Sequence, residues 1–289
     1  KINPDLVFIH GIGDFKDLIL WRKKRNYTIV RDCHMSWVAS RNKFKFLYFL
    51  IFKLFFSPII NRTNKYSKIY ALGIEEYQYL KKLGIKDEKI DMLPHGYNKN
   101  IIYYDPIERT KIRSKYDVKT EEILISYIGK FNNFKRPDII FDIVSYLDCR
   151  KIDINKIKFL FIGPKDKTYM ELFNRKLSLF KYNNNVIIDD AKPFLELRKY
   201  FSASDICIFP KETTLSSIHA QVCGCSVVME NHLSNKERVY NNENLYEIDN
   251  LSQAAKIVER IILNKEYIKP NNIKKLMDRE YSNQIEKHR

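Results

Sequence analysis

Between Asp205 and Glu230 the chain reads D-I-C-I-F-P-K-E-T-T-L-S-S-I-H-A-Q-V-C-G-C-S-V-V-M-E. The apolar run Ile206 to Phe209 stops at Pro210 and reads as a short buried strand. Thr213 or Thr214 can cap a helix that continues through Ala220, Val222 and Cys223, and Gly224 stops it. Val227 to Met229 begins a second strand. Strand, turn, helix and strand make a βαβ unit, which commits its strands to a parallel sheet with a right-handed crossover. A helix that starts just beyond a strand end points free backbone N–H groups at whatever lies above the sheet. Thr and Ser hydroxyls beside them make the turn a potential anion site, here for a nucleotide diphosphate. The competing reading is an ordinary capped helix with no ligand, and this stretch alone favours it.

The same alternation runs along the whole chain. Strands are expected at Leu6–His10, Tyr27–Arg31, Lys68–Leu72 and Ile90–Leu93, with helices at Phe15–Arg25 and Glu75–Leu83. The polar stretch 99–120, with few apolar anchors, reads as an interdomain connection holding a short helix Ile107–Tyr116, and strands then recur at Ile123–Ile128, Lys158–Ile162, Val186–Ile188 and Asn244–Ile248. Helices between them are expected at Asp138–Leu147, Tyr169–Phe180, Phe194–Phe201 and Leu251–Leu263. The predicted fold is α/β, two Rossmann-like domains facing a cleft. Residues 1–105 form the first and 106–265 the second. Residues 266–289 form a charged helical tail that wraps back over the surface. The 289-residue length suits two such domains. The chain opens on K-I-N-P-D, with no apolar leader, and runs straight into a strand, which points to missing upstream sequence.

Charge narrows the partners. Lys and Arg number 51 against 35 Asp and Glu, a net charge of +16. An anionic partner follows: a phosphate-bearing substrate, a nucleic acid or an acidic membrane surface. Zinc-finger spacing, RNA-recognition aromatics and basic heptads are absent from the sequence, so nucleic acid is disfavoured. The five cysteines, Cys33, Cys149, Cys207, Cys223 and Cys225, fit neither a zinc site nor a disulfide framework. Cys207, Cys223 and Cys225 sit in apolar runs and are expected to be buried, in a reducing cytosol.

Residues 44–60 read F-K-F-L-Y-F-L-I-F-K-L-F-F-S-P-I-I. As a helix this run is about 25 Å long at ~1.5 Å per residue, short of the ~20 apolar residues of a membrane span. It carries Lys45 and Lys53 and is expected to break at Pro58. Lys43, Lys45 and Lys53 can snorkel while the Phe and Tyr rings enter an anionic membrane surface. A helix packed on the sheet with one exposed edge explains it equally well.

Three features of the second half fall at strand ends, where open α/β sheets bind ligands. Gly129 allows close backbone approach, and Lys130 follows it. Lys135 precedes the next helix, and two cations flanking such a loop suit a diphosphate. The third is the turn Glu212, Thr214, Leu215, Ser216 and Ser217. In the first half, His10–Gly11 and His34 each close a strand and mark a cleft. Glycine loops of the NAD or ATP type are absent from the sequence.

These motifs, in this order, resemble the retaining glycosyltransferases of the GT-B fold, the group that includes sucrose synthases and bacterial lipid-mannosyltransferases. The resemblance covers about residues 5–265. That family carries Gly-Arg-x4-Lys-Gly, and G-K-F-N-N-F-K-R resembles it, with Lys130 at the arginine position and Lys135 at the lysine position. Its Glu-x7-Glu-Ala-x-Ala-x-Gly-x-Pro-Val-Val is matched in its second half by E-T-T-L-S-S-I-H-A-Q-V-C-G-C-S-V-V. Its Ala-Asp, strand and Pro-Ser segment is similar to Y-F-S-A-S-D-I-C-I-F-P-K, and its Pro-Asn-Gly-Val-Asp turn to L-P-H-G-Y-N. The resemblance implies transfer of a sugar from a nucleotide-diphosphate donor, such as a UDP-sugar, with retained configuration, in glycan biosynthesis. It implies no cofactor and no metal, in line with the missing Asp-x-Asp motif. It implies His34 and Glu212 as catalytic contacts to the donor sugar. Gly129, Lys130, Lys135 and the N–H groups near Ser216 and Ser217 would hold the diphosphate.

The departures are specific. His219 replaces the glutamate that binds the nucleotide ribose and, able to donate to or accept from a hydroxyl, is kept as a donor-binding candidate. Glu212 stands one residue too close for the seven-residue gap. Ser226 replaces a proline, and the first domain lacks the family's opening strand and glycine loop, so it reads as incomplete. The leading reading is a glycosyltransferase with a lipid-linked or polysaccharide acceptor, cytoplasmic and peripheral on the inner membrane face. The alternatives are a non-catalytic nucleotide- or sugar-binding module of the same fold and a nucleic-acid-directed binder or transferase.

Overall fold

The computed structural model describes residues 4–12, 27–36, 43–63, 66–147, 152–266 and 274–287. The expected helix Phe15–Arg25 and Cys149 lie outside them. The chain divides into two compact units between His95 and Gly96. Every described strand pairs in parallel with its neighbours.

The first unit holds β1 (Leu6–Ile9), β2 (Thr28–Cys33), β3 (Tyr66–Ala71) and β4 (Ile90–Met92), in the order β1-β2-β3-β4. The order steps one way only, so the described strands contain no switch point. Ile29, Tyr66, Ile69 and Leu80 form its core, with Phe52, Phe56 and Ile60 packed in from the aromatic run.

That run does not break at Pro58. Helix Lys45–Ile51 passes into a π turn, Phe52–Phe56, and on into helix Ser57–Arg62. A helical proline crowds the carbonyl four residues back. Here that carbonyl belongs to Leu54, inside the π turn, where the Ser57 N–H reaches back five residues to the Phe52 carbonyl. One face of the segment is buried, and Ser57 Oγ donates to the Leu83 carbonyl at 2.6 Å. The other exposes Phe46 (68%) and Phe55 (64%).

The second unit holds β5 (Ile123–Ile128), β6 (Ile157–Ile162), β7 (Val186–Asp189), β8 (Ile206–Phe209), β9 (Ser226–Glu230) and β10 (Leu245–Tyr246). Their order is β10-β9-β8-β5-β6-β7. The chain winds outward from β5 to β7, then returns to β8 on the other side of β5. That reversal puts a switch point between β5 and β8, the crevice where doubly wound sheets bind ligands. The strands are mostly apolar and the central ones largely buried, as in sheets covered on both faces. Cys207, Cys223 and Cys225 are buried among them.

The unit boundary falls ten residues before the expected one at 105/106, and 99–120 is no connection between domains. The reason is a buried charge cluster that hydropathy does not show. From helix Pro106–Lys115, Arg109 Nη2 and Arg113 Nη1 donate to the Asp205 carboxylate at 2.6 and 3.1 Å. The same carboxylate accepts from the Leu124 N–H at 2.8 Å, at the head of β5. Two arginines thus tie this helix to β5 and β8. The C-terminal segment also returns to the start of the unit. Tyr97 and Glu280 form a parallel bridge, and a Cβ on Gly96 would stand 1.9 Å from the Arg279 carbonyl.

Candidate functional site

Gly129 and Lys130 follow β5, and the segment 210–217 follows β8, so both flank the switch point of the second sheet. Close packing explains the glycine. A Cβ on Gly129 would lie 2.9 Å from the Tyr127 hydroxyl, and one on Gly163 would meet the Gly129 carbonyl at 1.8 Å. Gly163 also sits at φ +151°, a region that excludes side chains. The Tyr127 hydroxyl donates to the Lys130 carbonyl at 2.6 Å and shapes the turn. Lys130 is exposed, and its ammonium has no partner among the described residues. It lines a cavity of about 200 Å³ with Phe131, Asn132, Pro164, Lys165 and Asp166.

Lys135 is held in place by Asn132, whose side-chain oxygen accepts the N–H groups of Phe134 and Lys135 at 3.1 and 2.9 Å. Its ammonium crosses to the other loop. It donates to the carbonyls of Glu212 and Thr213 at 3.1 and 2.6 Å and stands 3.2 Å from Glu212 Oε2. Two residues chosen on sequence, 77 positions apart, therefore meet in one ion pair.

The loop Pro210–Leu215 is clamped by residues that sequence reasoning missed. Tyr246 donates to the Pro210 carbonyl at 2.7 Å. Lys211 donates to Glu230 at 2.6 Å and also pairs with Asp249. Thr213 donates to the side-chain oxygen of Asn235 at 2.8 Å, and Asn235 Nδ2 returns a bond to the Glu230 carbonyl at 2.8 Å. Burial pushes the Glu230 carboxyl up, but bonds from His232, Lys211 and the Asp249 N–H outweigh it and hold it below the usual carboxylate range. A glutamate ending the buried strand Ser226–Glu230, straight after the apolar run Val227–Met229, was the available signal.

Three of the chosen residues differ from expectation. His219 is only 4% exposed and packs on Phe194, ring centroids 5.5 Å apart. Burial lowers its pKa to about 4, against a smaller opposing effect of a Gly96 backbone bond. The apolar face of helix Ser216–Val222 turns the ring inward, so it offers nothing to a ribose. Ser217 is buried too, and its hydroxyl donates to the Thr214 carbonyl at 2.7 Å. The N–H groups of Ser216 and Ser217 go to Thr214 Oγ1 and the Thr214 carbonyl, at 3.3 and 3.4 Å. These bonds are long and weak. Leu215 caps the helix and packs against the core.

In the first unit, His10, Gly11 and His34 gather around Asp32, which site selection on sequence passed over. His10 Nδ1 lies 2.7 Å from Asp32 Oδ2 and His34 Nε2 lies 3.2 Å from it. The Gly11 N–H donates to Asp32 Oδ1 at 2.8 Å. Burial pushes this carboxyl up, but the Gly11 bond and the two imidazoles hold it below its ordinary value. His95 continues the row, its ring 6.2 Å from that of His34.

Comparison with known proteins bears on both units. Residues 108–276 match the family described as glycosyl transferases group 1. A D-inositol 3-phosphate glycosyltransferase of Pseudarthrobacter chlorophenolicus is 24% identical over 163 residues, 53% of this chain and 37% of that protein. The chain spans 37% and 50% of the lengths of the curated relatives it matches. Among solved structures, a glycosyltransferase from Rickettsia africae superposes with a TM-score of 0.75 at 18% identity, covering 99% of this chain and 75% of that one. Anabaena HepE in complex with UDP superposes with a TM-score of 0.73 at 16% identity, covering 91% and 71%. The fold is that of GT-B glycosyltransferases, two parallel α/β sheets of four and six strands. With more than half of its 289 residues matched, the chain belongs to the glycosyl transferases group 1 family.

Proposed function

We propose that the chain transfers a sugar from a nucleoside-diphosphate donor to a hydroxyl acceptor, with retained configuration and without a metal on the diphosphate. One observation carries this reading. At the switch point of the second sheet, Lys135 joins the loop after β5 to the loop after β8. As the glycosidic bond breaks, negative charge grows on the leaving diphosphate. Cations already fixed beside it favour that transition state without reorganising. Lys130, whose ammonium has no partner among the described residues, and Lys135 serve this role. A diphosphate oxygen replaces Glu212 Oε2 on Lys135 and releases the Glu212 carboxylate toward the sugar. The weak turn bonds of the Ser216 and Ser217 N–H groups are exchanged for phosphate oxygens. His10 and His34 are carried as substrate contacts on the first unit, a role that imidazole can fill as donor or acceptor. A uridine nucleotide is the first donor to try, since HepE was crystallised with UDP and with UDP-glucose.

The test is calorimetry with UDP, GDP and ADP, followed by turnover of the nucleotide sugar that binds. Lys135→Ala should weaken nucleotide binding at least ~30-fold, since truncating one partner of a desolvated charge pair costs about 2–5 kcal/mol. Absence of nucleotide binding at millimolar concentration overturns the donor site. Binding without transfer or hydrolysis makes the chain a binding module.

The exposed face of 44–60 supports peripheral attachment to an anionic membrane at its inner, cytoplasmic face. Phe44, Phe46, Leu47, Leu54 and Phe55 point outward, flanked by Lys43 and Lys53. No helix among the described residues is long and apolar enough to cross a membrane.

A further inference from the structure

The carboxyl edge of the first sheet carries a cluster that the family reading leaves unused as a set. Three ligand atoms, one each from His10, Asp32 and His34, lie within 4.8 Å of one another. Two imidazole nitrogens converge on a single carboxylate oxygen, at 2.7 and 3.2 Å. The carboxylate is the fixed element. Its side chain is 7% exposed, and its other oxygen is locked by the Gly11 N–H at 2.8 Å. Gly11 stands at φ +80°, a left-handed turn that brings its N–H back over the end of β2. The imidazoles are the adjustable elements, 79% and 52% exposed. Phe8 packs against the edge of the His10 ring at 5.1 Å.

We propose that His10 Nδ1, Asp32 Oδ2 and His34 Nε2 bind a divalent first-row transition ion, with zinc the first candidate. The donor set selects the metal class. Two neutral imidazoles and one carboxylate suit zinc, cobalt, nickel or iron, whereas calcium and magnesium require oxygen-rich shells. Zinc–ligand bonds of about 2.0–2.1 Å place ligand atoms roughly 3.3 Å apart around a tetrahedron. The ring nitrogens reach that spacing by small rotations of exposed side chains, while Asp32 stays put. The Gly11 N–H acts as the outer partner that orients a ligating carboxylate. With three protein ligands on an open edge, the remaining position is left to water or an exchangeable anion. The site stands on the first sheet alone and does not depend on the donor reading. If both hold, the ion occupies the nitrogens carried as substrate contacts on the first unit, and zinc inhibits transfer.

The test uses the full chain without an affinity tag. Zinc is titrated calorimetrically, and cobalt is followed by its visible d–d absorption. One equivalent should bind, with the intense bands of four- or five-coordinate cobalt rather than the pale hexa-aqua spectrum. His10→Ala and His34→Ala should each weaken zinc at least ~100-fold. Loss of an outer-shell partner alone costs 10–100-fold, and a direct ligand costs no less. His10 is exposed enough for its truncation to leave the sheet folded, which circular dichroism without metal checks. His232→Ala, in the second unit, should leave affinity unchanged. Absence of the cobalt bands overturns the proposal, as does zinc binding that survives both His10→Ala and His34→Ala.

Discussion

Each unit has a buried aspartate in or beside its sheet that organises its neighbourhood, Asp32 in the first and Asp205 in the second, and the two are built differently. Asp205 in the second unit accepts from buried Arg113, half-buried Arg109 and the Leu124 N–H. Among the described residues, Asp32 in the first unit has one backbone donor, the Gly11 N–H, and two exposed histidines. The first arrangement leaves permanent charges stranded if the carboxylate is lost. The second leaves two rings that water can serve. Asp205 is therefore a structural keystone, whereas the Asp32 cluster is open to exchange, as a ligand site must be.

The sharpest way to break this contrast is Asp205→Asn. It should cost about 3–5 kcal/mol of the second unit's stability, the usual penalty for stranding a buried charge. Asp32→Asn should cost about 1 kcal/mol or less, because its partners are exposed. Urea denaturation of both variants decides, and equal losses would refute the distinction.

A second prediction concerns acid. In the second unit His219 has a pKa of about 4 when folded, against an ordinary value of 6.5. The unfolded chain takes up its proton first, so this contribution is complete above pH 6.5 and drains as pH falls toward 4. At most it amounts to ~3 kcal/mol. Asp32 has the depressed carboxyl, so its contribution is lost only below its ordinary 3.8. His219→Gln should flatten the stability profile between pH 6.5 and 4, and an unchanged slope there would reject the buried neutral ring.

Glu230→Gln probes the clamp behind the loop. Lys211 would lose its buried partner while Lys135 and Asn235 still hold Thr213. We expect about a tenfold loss of nucleotide affinity, with the Lys135→Ala effect undiminished on top of it. No change in affinity would show that the clamp serves stability alone.

The smallest effect on stability is expected in the aromatic face of the first unit. Phe46→Ser with Phe55→Ser should leave the melting temperature within a few degrees yet abolish flotation with anionic liposomes. Phe52 is unsuitable for this purpose because it is buried in the core.

Much of the scaffold was legible because strand and helix periods are local. The helix Leu251–Leu263 and the strand Ile123–Ile128 fall where the apolar spacing puts them. Lys135 and Glu212, each picked out at a strand–helix junction although solvated lysines are common in so basic a chain, do come together in the structure. Other features were not legible. The polar stretch 99–120 looked like a linker because its anchors, Arg109 and Arg113, are charged and find their partner about ninety residues on. Pro58 looked like a break because a π turn leaves no local signal. His219 looked like a ligand because its motif position carries no record of which way the ring points.

By itself, the sequence determined the alternation of strands and helices and the parallel class of both sheets. These follow from side-chain period, turn chemistry and charge, all properties of neighbouring residues. The tertiary structure alone decided strand order, and with it the switch point between β5 and β8. It also decided which carboxylates are buried with permanent partners and which, like Asp32, face exchangeable ones. Those outcomes depend on long-range pairing and on desolvation, which exist only once distant segments are packed together.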